Sequence, residues 1–212
     1  MKKTNLKKAT TMRNLVFFTL FICIILSCKK NYTPKPKGYL RIEPPEAQYM
    51  AFNMDELPYG FNLSTQTAVE LPTNDSAQYR FNIDYPDLNA KIFCSYQTIT
   101  PQTFHEYEDE CRRLIEHTNR NAVEINEKIY ENKDHHIYGS LFLTEGETAS
   151  PIQFMLTDSV ANFFRGALYY KYSANADSLA PVTEYIKKDI IELIQSFYWK
   201  KECLYRTNTK RP

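Results

Sequence analysis

The chain has 212 residues, with 26 Lys and Arg against 25 Asp and Glu and a formal net charge of +1. With 16 Tyr and 13 Phe against 5 Gly, it is too aromatic and too glycine-poor for a flexible or disordered polymer, and suits a packed β-rich domain. The charge balance lacks the basic excess of a nucleic-acid binder, so no nucleic-acid partner is expected. The length is that of one domain with a sizeable core.

The first element is apolar. Leu15 to Leu26 carries one hydroxyl, Thr19, and no charge, and is preceded by Lys2, Lys3, Lys7, Lys8 and Arg13. This is a signal-peptide layout. Twelve helical residues reach about 18 Å, short of the roughly 30 Å hydrocarbon core that a spanning helix crosses. The segment is therefore expected to target the chain and be removed. It ends in Ile25-Leu26-Ser27-Cys28, which resembles the lipobox of bacterial lipoproteins, with Cys28 as the acylated residue and Leu26 bulkier than usual. An ordinary secretory signal or a short uncleaved anchor is the alternative. Five of the 26 basic residues and none of the 25 acidic ones leave with residues 1–27, so the mature chain is weakly acidic, near −4. That argues against electrostatic adhesion to a membrane. Attachment would rest on acyl chains, at about 0.8 kcal/mol per buried methylene.

Residues 28–38 follow as a tether, with Pro34 and Pro36 favouring an extended path. The globular domain is expected over 39–199. Tyr39 to Glu43 reads as a first strand stopped by Pro44-Pro45, and the alternations of Tyr59, Phe61 and Leu63 and of Val69 and Leu71 predict two more. Tyr79, Phe81, Ile83 and Tyr85 alternate with polar residues, and after Pro86-Asp87 so do Ala90, Ile92, Cys94 and Tyr96, which predicts a hairpin. Thr100-Pro101 opens a helix, with Thr103 and Glu106 spaced as a capping box. Phe104, Tyr107, Cys111, Leu114, Ile115 and Thr118 form its apolar face. Val123 to Tyr130 and Ile137 to Thr144 form a second hairpin, followed by strands at Ser150 to Thr157 and Phe163 to Tyr172. The last helix is signalled by Asn175 to Ser178 as caps, Pro181 in its first turn, and Leu179, Val182, Ile186, Ile190, Leu193, Ile194 and Phe197 at helical spacing. Trp199 closes the domain, and 200–212 is a polar tail. The class is α+β, an antiparallel sheet covered by two helices, and the order of elements resembles the Mog1/PsbP-like α/β sandwich in fold only.

Chemistry is sparse. His105 and His117 are about 18 Å apart along one helix, and His135 and His136 point to opposite faces of a strand, so no metal is expected. There is no nucleophile elbow, phosphate loop or zinc-protease motif. Cys111 and His117 do not align around a helix. No enzyme and no cofactor are expected. Of the cysteines left after processing, Cys94 and Cys111 fall on apolar faces and are expected to be buried thiols, although an oxidising compartment permits one disulfide among these two and Cys203. Gln153, Thr157, Asp158, Ser159 and Arg165 gather around one predicted hairpin. Arg165 has a plain reading, a structural cation bonded to Asp158 or to loop carbonyls. Its sharper reading is a partner-facing anchor amid aromatics.

The segments Tyr32-Thr33-Pro34-Lys35-Pro36-Lys37-Gly38-Tyr39-Leu40-Arg41-Ile42, Asn82-Ile83-Asp84-Tyr85-Pro86, Gln153-Phe154-Met155-Leu156-Thr157-Asp158-Ser159, Phe163-Phe164-Arg165-Gly166-Ala167-Leu168-Tyr169 and Asn175-Ala176-Asp177-Ser178-Leu179-Ala180-Pro181-Val182 resemble the gliding-motility lipoprotein GldD family of Bacteroidetes-type bacteria. The resemblance implies a lipid-anchored accessory or assembly factor of gliding motility and the linked type IX secretion machinery. Its partners would be other envelope proteins of that apparatus, with the membrane reached through the N-terminal acyl chains. It brings no catalytic residues. Arg165, Asp158, Gln153, Tyr39 and Arg41 are the candidate partner-binding residues. Lys29-Lys30 after Cys28 is not the acidic patch associated with surface export, which favours the periplasmic side. A small-ligand or cell-wall-binding module is the alternative, and a cryptic enzyme would need a perturbed acid or base in a pocket.

Overall fold

A computed structural model describes residues 46–71, 80–171 and 176–200. The leader, Cys28, the tether, the strand expected at Tyr39 to Glu43, Cys203 and the polar tail lie outside the described residues.

Among the described residues, ten strands form two antiparallel sheets, accompanied by two α-helices. The small sheet has β2 (Tyr59–Ser64) at its centre, flanked by β1 (Tyr49–Phe52) and β10 (Tyr198–Trp199). Neither flanking strand is expected from the sequence. The large sheet contains β3 (Ala68–Glu70), β4 (Arg80–Tyr85), β5 (Ala90–Thr98), β6 (Ala122–Asn132), β7 (Ile137–Gly146), β8 (Ile152–Thr157) and β9 (Asn162–Tyr170). Their spatial order is β3-β4-β5-β9-β8-β7-β6. The α+β antiparallel architecture expected from the element order is therefore present. β9 returns to the middle and pairs with β5 on one side and β8 on the other.

Successive side chains on a strand leave opposite faces, and that alternation divides the protein into two cores. On one face Phe81, Ile83, Ile92, Phe154, Leu156, Phe164 and Leu168 pack against α2 (Ala176–Ser196), through Val182, Ile186, Ile190, Leu193, Ile194 and Phe197, and against Tyr59, Phe61 and Leu63 of the small sheet. Each fully buried side chain of this kind contributes about 1.5–3 kcal/mol of transfer free energy, so the larger core carries most of the fold. On the other face α1 (Phe104–Thr118) places Cys111 and Ile115 on Phe142, Met155 and Phe163. The adjacent residues Phe163 and Phe164 thus belong to different cores, and the two helices cover opposite faces of the sheet.

Several local expectations need correction. Thr103 does not cap the helix. Instead Thr100 N–H donates to Thr103 Oγ1 at 2.9 Å and Thr103 N–H to Thr100 Oγ1 at 3.2 Å, a reciprocal box formed three residues earlier and matched to Pro101. Leu114 is 39% exposed, because α1 contacts the sheet along a narrow stripe centred on Cys111 and Ile115. His135 ends a 3-10 turn, Lys133–His135, and His136 adopts a left-handed φ of 52°, so neither lies in a strand. Pro181 lies in the second turn of α2, since the helix begins at Ala176. Cys94 and Cys111 are buried free thiols, as expected.

Candidate functional site

Helix α1 covers only part of its face of the large sheet. It shields Phe142, Met155 and Phe163 and leaves the half made by β4, β5 and the far part of β9 open. That half is a trough of about 710 Å³. The strand register sets its floor as cross-strand rows. Arg80 lies opposite Ser95, which lies opposite Arg165; Asn82, Phe93 and Ala167 form the next row; Asp84, Lys91 and Tyr169 form the third.

The charges in these rows are not equivalent. Lys91 Nζ contacts Glu70 at 2.6 Å and Asp84 at 3.8 Å, and Lys171 Nζ contacts Asp84 at 3.1 Å. The hydrogen bond from Lys91 holds the Glu70 carboxyl below its ordinary range, and the same bond raises the Lys91 ammonium. Arg80 and Arg165, by contrast, have no hydrogen bond or ion pair among the described residues. Phe93 is 48% exposed and meets Tyr169 edge to face, with ring centroids 5.5 Å apart and an interplanar angle of 82°. The trough is therefore an aromatic ledge beside two guanidinium groups that have no acceptor among the described residues.

The remaining candidates are distributed differently. Asp158 is buried, and its Oδ1 accepts the N–H groups of Val160, Ala161 and Asn162 at 2.9, 2.8 and 2.9 Å, while Oδ2 accepts from the Asn162 amide. This carboxylate organises the β8–β9 turn, where Ser159 has a left-handed φ of 63° and Thr157 Oγ1 donates to Asn162 O at 2.7 Å. The bond from Arg165 to Asp158 anticipated by the structural reading is not formed, because Arg165 lies mid-strand opposite Ser95 and Met155. Gln153 shares the face of Arg165, but at 2% exposure it sits below the surface opposite Ala167 and Phe142, with neither amide atom hydrogen-bonded. Cys28, Tyr39 and Arg41 lie outside the described residues.

Arg80, Phe93 and Tyr169 are site residues that sequence reasoning missed. Their signal is the wet half of each strand's alternation, which acquires meaning only when β4, β5 and β9 are known to be neighbours. A second missed feature is Asp189 on α2, 5% exposed, which accepts the Tyr49 hydroxyl at 2.9 Å and the Tyr85 hydroxyl at 3.2 Å. Burial raises its carboxyl above the ordinary range, with the hydrogen bonds opposing that shift.

The arrangement suits binding better than covalent chemistry. Burial pushes the thiols of Cys94 and Cys111 up, so neither is a thiolate near neutrality. Among the described residues no three His, Cys, Asp or Glu side chains are gathered as a metal site. No helix among them is long and apolar enough to cross a membrane.

A family model described as "Gliding motility lipoprotein GldD" matches residues 29–199. No curated protein matches the chain at a significant level. Among solved structures, the solution structure of cyanobacterial PsbP (CyanoP) from Synechocystis sp. PCC 6803 is similar at a TM-score of 0.47 with 12% sequence identity, covering 78% of this chain and 98% of that one.

Proposed function

The chain belongs to the gliding motility lipoprotein GldD family, and from that premise we propose that it is an accessory or assembly factor of the gliding apparatus and the linked type IX secretion machinery, acting by binding other envelope proteins. In this reading Cys28 carries the acyl chains, the segment to Gly38 spaces the domain from the bilayer on the periplasmic side, and the domain presents a docking face. The observation that supports docking is the trough on the large sheet, where Phe93 is 48% exposed beside Arg165, whose guanidinium has no acceptor among the described residues. A half-covered sheet face with exposed aromatic and arginine side chains has the composition that protein interfaces use at their centres.

Deletion of the gene tests the process. Surface spreading and export of secreted cargo should be lost together and restored by the intact gene, and a deletion strain that glides and secretes normally excludes the reading. Cys28→Ala tests the anchor, since a soluble periplasmic variant with full activity would make position at the membrane dispensable.

A further inference from the structure

We infer that the trough receives an extended, acidic segment of a partner protein, with one carboxylate held between Arg80 and Arg165 above Ser95 and an apolar side chain laid on Phe93; this rests on the docking role proposed above. Of four basic residues around the trough, Lys91 and Lys171 are neutralised locally by Glu70 and Asp84. Arg80 and Arg165 have no such partner among the described residues, and the register sets them in one row with Ser95 between them. Two strand spacings separate their backbones, about 10 Å, and each guanidinium reaches about 6–7 Å from its Cα, so both forks can converge on a single oxyanion over the Ser95 hydroxyl. A carboxylate would gain charge-assisted bonds there without displacing any existing ion pair.

Spacing then selects the form of the ligand. Ser95, Phe93 and Lys91 project from the same side of β5, at intervals of about 6.8 Å. An extended peptide presents alternate side chains at the same interval, so an acidic residue over Ser95 puts residue i+2 on Phe93 and residue i+4 on Lys91 and Tyr169. The edge-to-face Tyr169 ring, 5.5 Å from Phe93, forms a step against which an aliphatic or aromatic side chain can rest. An anionic membrane fits less well. Glu70 and Asp84 border the same surface and would face its phosphates, and the cations line a recess rather than a projecting edge.

The test uses the full chain in its own cells with p-benzoylphenylalanine in place of Phe93, followed by mapping of the crosslinked peptide. The expected product is a protein segment with Asp or Glu within two or three residues of the crosslinked position, and the crosslink should fall at least tenfold in Arg80→Glu and Arg165→Glu backgrounds. A crosslink to a segment without carboxylates, or one that survives both charge reversals, overturns the acidic-ligand inference and leaves the docking reading standing. Crosslinks confined to lipid, or no crosslink to protein at all, overturn both.

Discussion

The hydroxyl of Tyr49 donates to Oδ1 of Asp189 at 2.9 Å, joining the edge of the small sheet to a helix 140 positions along the chain. Tyr85 reaches the other carboxylate oxygen from the large sheet at 3.2 Å, so one buried acid holds three layers in register.

That acid should leave a signature in pH. Burial raises its carboxyl in the folded state above the ordinary value of 3.8, so the folded protein holds the proton to a higher pH than the unfolded chain does. The stability it contributes is fully present below that value and is lost as pH rises through the raised folded value. Urea unfolding from pH 4 to 7 should show wild type losing stability relative to Asp189→Asn, with the difference growing with pH. A constant difference would mean that the carboxyl titrates as it does in the unfolded chain.

Arg112 and Glu127 should behave with the opposite sign. The guanidinium makes two bonds of 2.9 Å to the Glu127 carboxylate, Ser140 Oγ donates a third at 2.6 Å, and the cation lies 5.5 Å from the centre of the Phe142 ring. The Arg112 bonds hold Glu127 below the ordinary range, so its contribution is present above about 4.5 and is lost as pH falls through the depressed value. Both side chains are about one-third exposed, and solvent screens the pair. Arg112→Ala should therefore cost about 1–2 kcal/mol, including loss of the ring contact, and a double-mutant cycle with Glu127→Gln should give a coupling of about 1 kcal/mol that shrinks in high salt.

How far these features were readable follows from the distance over which each is decided. The hairpin at Phe81 to Tyr96 and the burial of Cys94 rest on period-two alternation within a few residues, and the spacing of Val182 to Phe197 announces α2 in the same way. β1 escapes because Tyr49-Met50-Ala51-Phe52 leaves two consecutive residues exposed and has no clear period. Asp189 reads as an ordinary polar residue of a helix until β1 and β4 are placed against it. The trough is the least legible feature of all. Arg165 stands out in the sequence by its aromatic neighbours, but its association with Ser95 and Arg80 depends on β9 returning beside β5, a non-local pairing that no local pattern encodes.

Tyr59 offers a stabilising substitution. Its ring is fully buried, 4.8 Å from Phe164 and 5.6 Å from Phe197 between centroids, and its hydroxyl has no partner among the described residues. An unsatisfied buried hydroxyl costs free energy that its removal recovers. Tyr59→Phe should raise stability by about 1 kcal/mol, or a few degrees in Tm, whereas Tyr59→Ala should cost about 3–5 kcal/mol by opening a cavity between the sheets. A Tyr59→Phe variant less stable than wild type would show that the hydroxyl has found a bond.

Arg165 decides between scaffold and interface. A structural arginine is held by acceptors, and its removal exposes them, whereas Arg165 has none among the described residues and Asp158 is occupied by its own turn. Its aliphatic stem still lies beside Met155 and close enough to α1 for its charge to act on Cys111. Arg165→Ala therefore removes some packing, and Arg165→Met, which keeps the stem and deletes only the charged fork, isolates the contribution of the cation. Both variants should retain Tm within a few degrees, and both should lose spreading and secretion when they replace the wild-type gene. Arg80→Gln, at an exposed position, should weaken function in the same direction. A large fall in Tm for Arg165→Met, or full motility from Arg165→Met and Arg80→Gln together, would return Arg165 to the scaffold and remove the trough from the docking surface.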